Sequence, residues 1–363
     1  MSYNLIPKEQ QRFIMPKFVW KAITITGIAA LLISCKTSEP AEPTKDYLFP
    51  YLENQQVGFL DTTLDKKIDP QFKFVDNKTW PYTFSEGLAA VNFMGTIGYI
   101  DRQGNIAIEP KFDHAQNFKN GTALVRNNGQ YGFIDRDGEY IIEPKFQNAG
   151  IFNNDLAPVQ TQKKGNWGYV DRDGNFQIQP QFEMATPFTE GLARVQTLEH
   201  KEWGYINPSG EMVIPAKYQR AKSFSEGLAP VQLGYKQWGY INKNGAVIID
   251  SKFLKAEPFS EGKAVIAMPV DNQNLEQKKY GYINRQGEII IEPTYEKAFS
   301  FQEGRAKIKI NGKFGFINKR GQLIADPIYD NAWDFKGGFA MVKLGGKYGY
   351  INKNGVFALE PIS

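Results

Sequence analysis

The chain has 363 residues, of which 42% are hydrophobic and 14% aromatic, and it contains 34 glycines. This hydrophobic content can fill a folded core, which excludes a chain that is disordered by composition. The formal net charge is +4, but residues 1–35 carry +3 of it, which leaves only +1 for the rest. A nearly neutral surface gives no electrostatic case for a nucleic-acid partner, which requires a basic face.

An apolar run near the start of the chain has the properties of a signal peptide. It extends from Ala22 to Ile33 and follows two positive charges, Lys17 and Lys21. The run is shorter than the roughly 20 residues that a membrane-spanning helix needs. Its length and its positive flank are typical of an export signal. The sequence leaves open whether translation starts at Met1 or at Met15.

The only cysteine, Cys35, follows this run directly in the sequence Leu32-Ile33-Ser34-Cys35. This motif resembles the lipobox of bacterial lipoproteins. The resemblance implies that residues 1–35 are a lipoprotein signal peptide and that Cys35 carries a lipid anchor. Lys36, rather than Asp, comes next, and this favours the outer membrane. Residues 36–46 are rich in Pro, Ser and Thr and are predicted to form a flexible tether. The alternative is an uncleaved signal anchor.

The mature chain, residues 47–363, is periodic. One unit opens with Trp203-Gly204-Tyr205-Ile206-Asn207, and the next opens with Trp238-Gly239-Tyr240-Ile241-Asn242. Successive opening glycines lie 34 to 42 residues apart, which defines eight full units and a final half unit. These glycines are Gly58, Gly98, Gly132, Gly168, Gly204, Gly239, Gly281, Gly315 and Gly349.

The repeated motif resembles the WG repeat family, also called KWG repeats. The resemblance covers about residues 57–361. It is closest where Trp167-Gly168, Trp203-Gly204 and Trp238-Gly239 open a unit. These pairs are therefore expected to be structural repeat positions. The resemblance identifies a repeat architecture and no particular ligand.

Each unit is predicted to be a three-stranded antiparallel meander. Its first two strands form a hairpin across an Asp/Asn-x-x-Gly turn such as 101–104, because Asp caps the turn and Gly accepts a positive φ. A Glu-Pro pair such as Glu109-Pro110 is expected to lie on a sheet edge or to end a strand. A Glu-Gly-Leu-Ala-x-Val segment such as 190–195 starts the third strand.

One such unit cannot bury its apolar face alone, so neighbouring units must stack. The sequence predicts an all-β fold of about eight three-stranded repeats. It favours a propeller-like closed ring, with an open β-solenoid as the alternative. Closure is favoured because the final half unit lacks a third strand, which residues 47–52 are expected to supply.

The sequence offers few groups for catalysis. His114 and His200 replace variable repeat positions, and no mature cysteine is available as a nucleophile other than the proposed anchor. The Asp-Arg-Asp-Gly turns at 135–138 and 171–174 lack the Glu of a calcium loop, which makes a metal site an unfavoured interpretation. Glutamates before glycine recur with the repeat, whereas a catalytic pair would occur once. We therefore predict no enzyme activity, no cofactor and no metal.

Two tryptophans lie off the repeat-opening position, and Trp80 and Trp333 are therefore candidate exposed contacts. The sequence favours a lipid-anchored envelope module that binds or scaffolds a protein or glycan partner. One alternative is an envelope polysaccharide hydrolase, with a site in the ring centre or beside the polar excursion at 268–279. A purely structural envelope component is the third hypothesis. Ligand identity and oligomeric state do not follow from the sequence, and the lipobox-like motif does not itself identify the membrane or its face.

Overall fold

The computed structural model describes residues 47–73, 82–271 and 274–362, and these residues form an all-β structure. The predicted signal peptide, the tether, Cys35 and Trp80 lie outside the described residues. No helix able to span a bilayer occurs in the described ranges. The all-β prediction is confirmed.

Thirty-three strands follow one another along the described residues. Their bounds are β1 Phe49–Glu53, β2 Gln56–Leu60, β3 Lys66–Lys73, β4 Ala89–Phe93, β5 Thr96–Ile100, β6 Ile106–Phe112, β7 His114–Ala115, β8 Ala123–Asn127, β9 Gln130–Ile134, β10 Tyr140–Phe146, β11 Asn148–Ala149, β12 Ala157–Gln160, β13 Trp167–Val170, β14 Phe176–Phe182, β15 Met184–Ala185, β16 Ala193–Gln196, β17 Trp203–Ile206, β18 Met212–Tyr218, β19 Leu228–Gly234, β20 Gln237–Asn242, β21 Val247–Phe253, β22 Lys255–Ala256, β23 Ala264–Asp271, β24 Asn274–Ile283, β25 Ile289–Tyr295, β26 Lys297–Ala298, β27 Arg305–Ile310, β28 Lys313–Asn318, β29 Leu323–Tyr329, β30 Asn331–Ala332, β31 Phe339–Leu344, β32 Lys347–Asn352 and β33 Phe357–Ile362.

The strands form nine antiparallel sheets of three or four strands, which we number as blades 1 to 9 in chain order. Each blade is a meander, as in blade 5, where β15, β16, β17 and β18 pair in sequence. The strand that begins with Leu-Ala-x-Val pairs with the hairpin of the next sequence unit, not with the hairpin of its own unit. This corrects the predicted frame, because the short loop to the next Trp-Gly favours local antiparallel pairing. Each of the nine hairpins, including that of the final half unit, therefore forms the centre of its own sheet, which gives nine sheets.

The nine blades close into a ring and form a nine-bladed β-propeller. The favoured prediction of a closed ring is confirmed. The predicted strand exchange at the closure is wrong, however. Residues 49–53 pair with β2 inside blade 1, and the last blade takes all its strands from the C-terminal part of the chain. Closure comes from side chains instead. The ring of Phe49 lies 5.3 Å from that of Phe339 and 5.7 Å from that of Tyr350.

The repeat-opening glycine has a steric function that is the same in every blade. In blade 5, Trp203 pairs with Tyr218 but Tyr205 pairs with Ile214, so the β18 strand bulges opposite Gly204. A Cβ atom on Gly204 would lie 2.7 Å from the carbonyl oxygen of Ile214. Only glycine allows this approach of two backbones. In blade 2 the proline of the Glu109-Pro110 motif lies in the corresponding bulge of the edge strand β6, opposite Gly98, where its missing N–H costs no ladder hydrogen bond.

The hydrophobic core is divided among the interfaces between blades. One buried cluster, for example, joins Tyr169 and Ile178 of blade 4 to Ala193, Val195 and Ile206 of blade 5. Each interface also contains an aromatic pair between a middle strand and a residue near the start of the next blade, with centroids 4.5 to 5.7 Å apart. The pairs are Phe59–Phe84, Tyr99–Phe118, Phe133–Phe152, Tyr169–Phe188, Tyr205–Phe224, Tyr240–Phe259, Tyr282–Phe301, Phe316–Phe335 and Tyr350–Phe49.

Candidate functional site

The repeat-opening tryptophans lie at the first residue, or near the first residue, of a middle strand. Trp167 and Trp203 are half-buried against the cores of their interfaces, and Trp238 is buried. Their glycines, Gly168, Gly204 and Gly239, are buried in the bulge described above. The indole rings therefore belong in large part to the core, although Trp203 and Trp238 also line a pocket considered below.

Trp333 lies at the closure of the ring. It is half-buried, packs against the cluster shared by blades 9, 1 and 2, and has its ring 6.0 Å from that of Tyr348. It also lines a cavity of about 640 Å³ together with Phe49, Phe84 and Tyr350. Trp333 thus combines a packing contact with partial access to solvent. The other candidate contact, Trp80, lies outside the described residues.

The Asp-x-x-Gly turns use their carboxylates inside the turn. Asp171 Oδ1 accepts hydrogen bonds from the backbone N–H groups of Asp173 and Asn175, at 3.0 and 2.9 Å. The N–H of Asn175 and further donors hold the pKa of Asp171 below its ordinary value, against a small opposing effect of burial. Nowhere in the residues that the structure describes do three His, Cys, Asp or Glu side chains converge as a metal ligand set would.

The glutamates before glycine connect successive blades. Glu303 and Gly337 lie in tight turns of blades 8 and 9, and the Glu303 carboxylate accepts the N–H groups of Gly337 and Gly338 at 2.6 and 2.9 Å. Lys353 of blade 9 lies 3.1 Å from the same carboxylate. Glu86, Glu190, Glu226 and Glu261 make corresponding bonds to the next turn. These acids are therefore occupied by structural bonds.

The same glutamates have left-handed backbone conformations, with φ near 50°. Both central residues of a type I′ turn need a positive φ, which is uncommon for Glu. The longer side chain of Glu carries its carboxylate to the neighbouring turn, and these bonds offset the backbone strain. Asn120 and Asn154 occupy the same position in two other units. The recurrence that argued against a catalytic pair thus has a physical reason.

The two histidines lie apart. His114 is half-buried in β7, where burial and then the charge of Arg126 lower its pKa and favour the neutral imidazole. His200 lies in an exposed loop beside Glu199, at 3.4 Å.

His114 lines a pocket together with Ser85 and Asp113. The Ser85 hydroxyl, however, donates to the carbonyl oxygen of Phe118, and the Asp113 carboxylate accepts the N–H of Gly129. Both groups are thus engaged in structural bonds and not in the hydrogen-bonded chain that acyl-transfer chemistry requires.

One pocket departs from the repeat pattern. It has a volume of about 640 Å³ and lies across blades 5, 6 and 7. Its wall includes the polar excursion of the sixth sequence unit, which is a hairpin of β23 and β24 that is longer than the others. Leu275, Glu276 and Lys278 of this hairpin face the pocket. The excursion therefore makes this side of the described propeller asymmetric.

The charge of this pocket is strongly positive. Six cationic side chains line it against two acids; the cations are Arg194, Arg220, Lys222, Lys236, Lys255 and Lys278. Both acids already have lysine partners. Lys222 Nζ lies 2.5 Å from Glu257, and Lys236 pairs with Glu276. The guanidinium of Arg194 lies 4.2 Å from the ring centre of Trp203, where it is held by a cation–π contact.

The sequence points to the excursion at 268–279 as one possible place for a site, and this pocket lies beside it. Sequence reasoning did not identify the cationic lining, although one signal was available. Arg194 occupies the variable position of Glu-Gly-Leu-Ala-x-Val, where the neighbouring units have Pro158 and Pro230. A cation at an inward-facing position of a strand is a departure from the repeat. The rest of the pocket comes from three blades, and only the fold shows that they meet.

The fold and its sites define a β-propeller built of short repeats. A family model described as "WG containing repeat" matches seven times, at residues 97–131, 131–164, 167–197, 203–236, 238–268, 280–314 and 314–348. These matches cover well over half of the chain, and the protein belongs to the WG-repeat family. The resemblance inferred from the sequence is confirmed for the repeats.

Known structures with a similar fold have little sequence in common with this chain. A eukaryotic initiation factor has 9% identity and a TM-score of 0.61, over 86% of this chain and 94% of that chain. The computationally designed Ika8 protein has 12% identity and a TM-score of 0.47, over 77% and 95%. BamB from Moraxella catarrhalis has 12% identity and a TM-score of 0.42, over 85% and 92%. At 9% identity, the likeness to the initiation factor shows the fold alone. Comparison with curated proteins gives no match.

Proposed function

We propose that the protein is an exported, lipid-anchored module of the bacterial cell envelope whose propeller binds a protein or glycan partner. Export and anchoring are supported by the apolar run at 22–33 and by its lipobox-like end at Cys35. Lys36 supports the outer membrane as the location. The tether at 36–46 would hold the ring at a distance from the lipid surface.

A single observation carries the binding role. In the described residues, the polar groups that recur with the repeat form structural hydrogen bonds within and between the blades. One pocket of about 640 Å³ departs from the repeat and is lined by charged and aromatic side chains. Concave sites with a few converging polar groups are the usual places for ligands. The two acids of that pocket are both engaged by lysines. This arrangement supports binding in preference to hydrolysis by a pair of acids.

Two experiments test this proposal. The first is palmitate labelling of the full chain in a bacterial host, with Cys35→Ser as the test variant and Ser38→Ala as the matched control. We expect labelling of the wild type and the control and its loss in Cys35→Ser, with release of the protein from the membrane fraction. Labelling that persists in Cys35→Ser contradicts the anchor.

The second experiment is a binding screen with residues 46–363, which contain all nine blades and the closure of the ring. Immobilised protein is exposed to extracted envelope glycans and to envelope proteins, and bound material is identified. We expect a reproducible glycan or protein partner. Recovery of no partner from either extract would favour a purely structural envelope component, and cleavage of a glycan in the same samples would favour the hydrolase.

A further inference from the structure

The environment of Arg194 departs from the repeat symmetry. Its guanidinium donates a hydrogen bond to the carbonyl oxygen of Ala221 in the next blade, while its buried Nε has no partner among the described residues. No carboxylate of a described residue forms an ion pair with it. Arg194 is half-buried. A cation partly withdrawn from water without a counter-charge has an energetic cost, and an anion in the pocket would offset that cost.

Lys307 provides an internal comparison, because it occupies the same repeat position in blade 8. Its Nζ donates to the carbonyl oxygen of Ala332 at 2.9 Å, which matches the bond from Arg194 to Ala221. Lys307, however, lies 3.4 Å from the carboxylate of Asp334. The residue equivalent to Asp334 in the segment after Ala221 is Ser223. The repeat thus supplies the counter-charge at Lys307 and omits it at Arg194.

Other cations extend the positive surface from Arg194 across the pocket. Arg220 and Lys255 are exposed and belong to blades 6 and 7, and Lys278 stands on the long hairpin. The pocket has an excess of four positive charges, whereas residues 36–363 together carry a net charge of only +1. Low-dielectric walls concentrate such a field and attract anions.

The uncharged part of the lining favours a sugar chain over an acidic peptide. Tyr235 is 76% exposed at the pocket, and Gln219 and Gln232 add amide groups. An aromatic ring offers a flat apolar surface to the C–H face of a sugar, and amides can pair with its hydroxyl groups. The planar guanidinium of Arg194 can bind a carboxylate or a sulfate through two parallel hydrogen bonds.

We propose that the pocket across blades 5, 6 and 7 binds an acidic glycan, with a carboxylate or sulfate group of the sugar chain against Arg194. This inference rests on the proposed binding function and specifies its ligand class. The cations on blades 6 and 7 then contact further acidic groups along the same chain.

The test measures the affinity of residues 46–363 for four polymers of similar length by titration calorimetry. Polygalacturonate presents carboxylates, dextran sulfate presents sulfates, dextran is neutral, and polyglutamate is an acidic peptide. We expect at least one acidic glycan to bind, its affinity to fall as salt is raised from 50 to 300 mM, and dextran and polyglutamate to bind at least tenfold more weakly. The two acidic glycans distinguish which acidic group is recognised.

Variants locate the binding in the pocket. Arg194→Met should weaken binding of the acidic glycan at least tenfold, whereas Lys307→Met, the matched control at the equivalent repeat position, should leave it within twofold of the wild type. If Arg194→Met does not fold, the double variant Arg220→Gln with Lys255→Gln replaces it, because both side chains are exposed. That variant should weaken binding at least threefold with an unchanged thermal midpoint.

Several results would overturn the inference. These are no binding of either acidic glycan, equal binding by the wild type and the pocket variants, or equal or tighter binding of polyglutamate. Repeating the envelope screen with Arg194→Met separates the two proposals. A partner that both the wild type and Arg194→Met capture leaves the binding function standing and rejects this pocket as its site. A screen that captures nothing rejects the binding function itself.

Discussion

The hydroxyl group of Tyr350 donates a hydrogen bond of 2.6 Å to the carbonyl oxygen of Pro50, 300 residues earlier in the chain. The same bond occurs within the array, where for example Tyr240 donates to the carbonyl oxygen of Glu257, 17 residues later. The final blade has no following unit, and the N-terminal segment takes its place. The two ends of the repeat array are therefore joined by the same hydrogen bond that joins neighbouring blades wherever the middle strand carries a tyrosine at this position.

Removal of this hydroxyl should weaken the closure. Tyr350→Phe leaves the buried carbonyl of Pro50 without that donor, and we expect the free energy of unfolding to fall by about 1–2 kcal/mol. Urea denaturation followed by tryptophan fluorescence measures the change. Tyr240→Phe should cost a similar amount, since it breaks the same bond inside the array, and the exposed Tyr235→Phe should cost almost nothing. Equal midpoints for Tyr350→Phe and wild type would show that the closure contributes nothing to stability.

The buried tyrosines predict a loss of stability in alkali. Burial raises the pKa of Tyr99, Tyr169, Tyr205, Tyr240, Tyr282 and Tyr350 above the ordinary value of 10.0. Above that pH the unfolded chain loses protons that the folded chain keeps. Stability from these groups is therefore complete below pH 10 and decreases as the pH rises further.

Denaturant midpoints measured between pH 8 and pH 11.5 test this sign. We expect a plateau up to about pH 10 and a steep decline above it. Absorbance at 295 nm should show that these tyrosines ionise together with unfolding. Early ionisation without unfolding would contradict their burial.

The steric function of the repeat glycine predicts a large effect of one methyl group. Gly204→Ala places a Cβ atom 2.7 Å from the backbone oxygen of Ile214, which cannot move without disturbing the bulge. We expect a loss of about 1–3 kcal/mol from overpacking. Gly234→Ala is the control, since the nearest atom there belongs to the flexible side chain of Gln237. A Gly204→Ala protein as stable as the control would show that the bulge is not sterically constrained.

The turn-to-turn carboxylates predict an acid-dependent contribution to stability. Burial is the largest single effect on the pKa of Glu303, and it raises that pKa. The N–H of Gly338, the Lys353 ammonium and the N–H of Gly337 together outweigh burial, so the pKa of Glu303 is lowered. Its contribution is therefore present above the ordinary pKa of 4.5 and is lost as the pH falls through the lower folded-state value.

Glu303→Gln keeps the shape and removes the charge. We expect it to reduce stability by about 1 kcal/mol at pH 7, a value discounted for the partial exposure of the pair. The difference from wild type should shrink as the pH falls below 4.5, as measured by denaturant midpoints. The exposed Glu292→Gln serves as the control and should have little effect at either pH. A difference that stays constant with pH would contradict a role for the charge.

Local rules in the sequence determined most of the repeat. The Asp-x-x-Gly turns, the glycine before Tyr205 and the Glu-Pro edge at 109–110 each act within one hairpin, so short-range sterics and hydrogen bonding specify them. Periodicity also predicted that neighbouring units share a core, because one small sheet cannot bury its own face.

The tertiary structure decided what depends on distant residues. It placed Phe49 and Pro50 against blade 9 through side chains and not as a strand, since the backbone of residues 49–53 is already paired with β2. It also brought Arg194, Lys222 and the long hairpin of β23 and β24 into one pocket. The sequence contains each of these groups, but their charges combine only because three blades converge there.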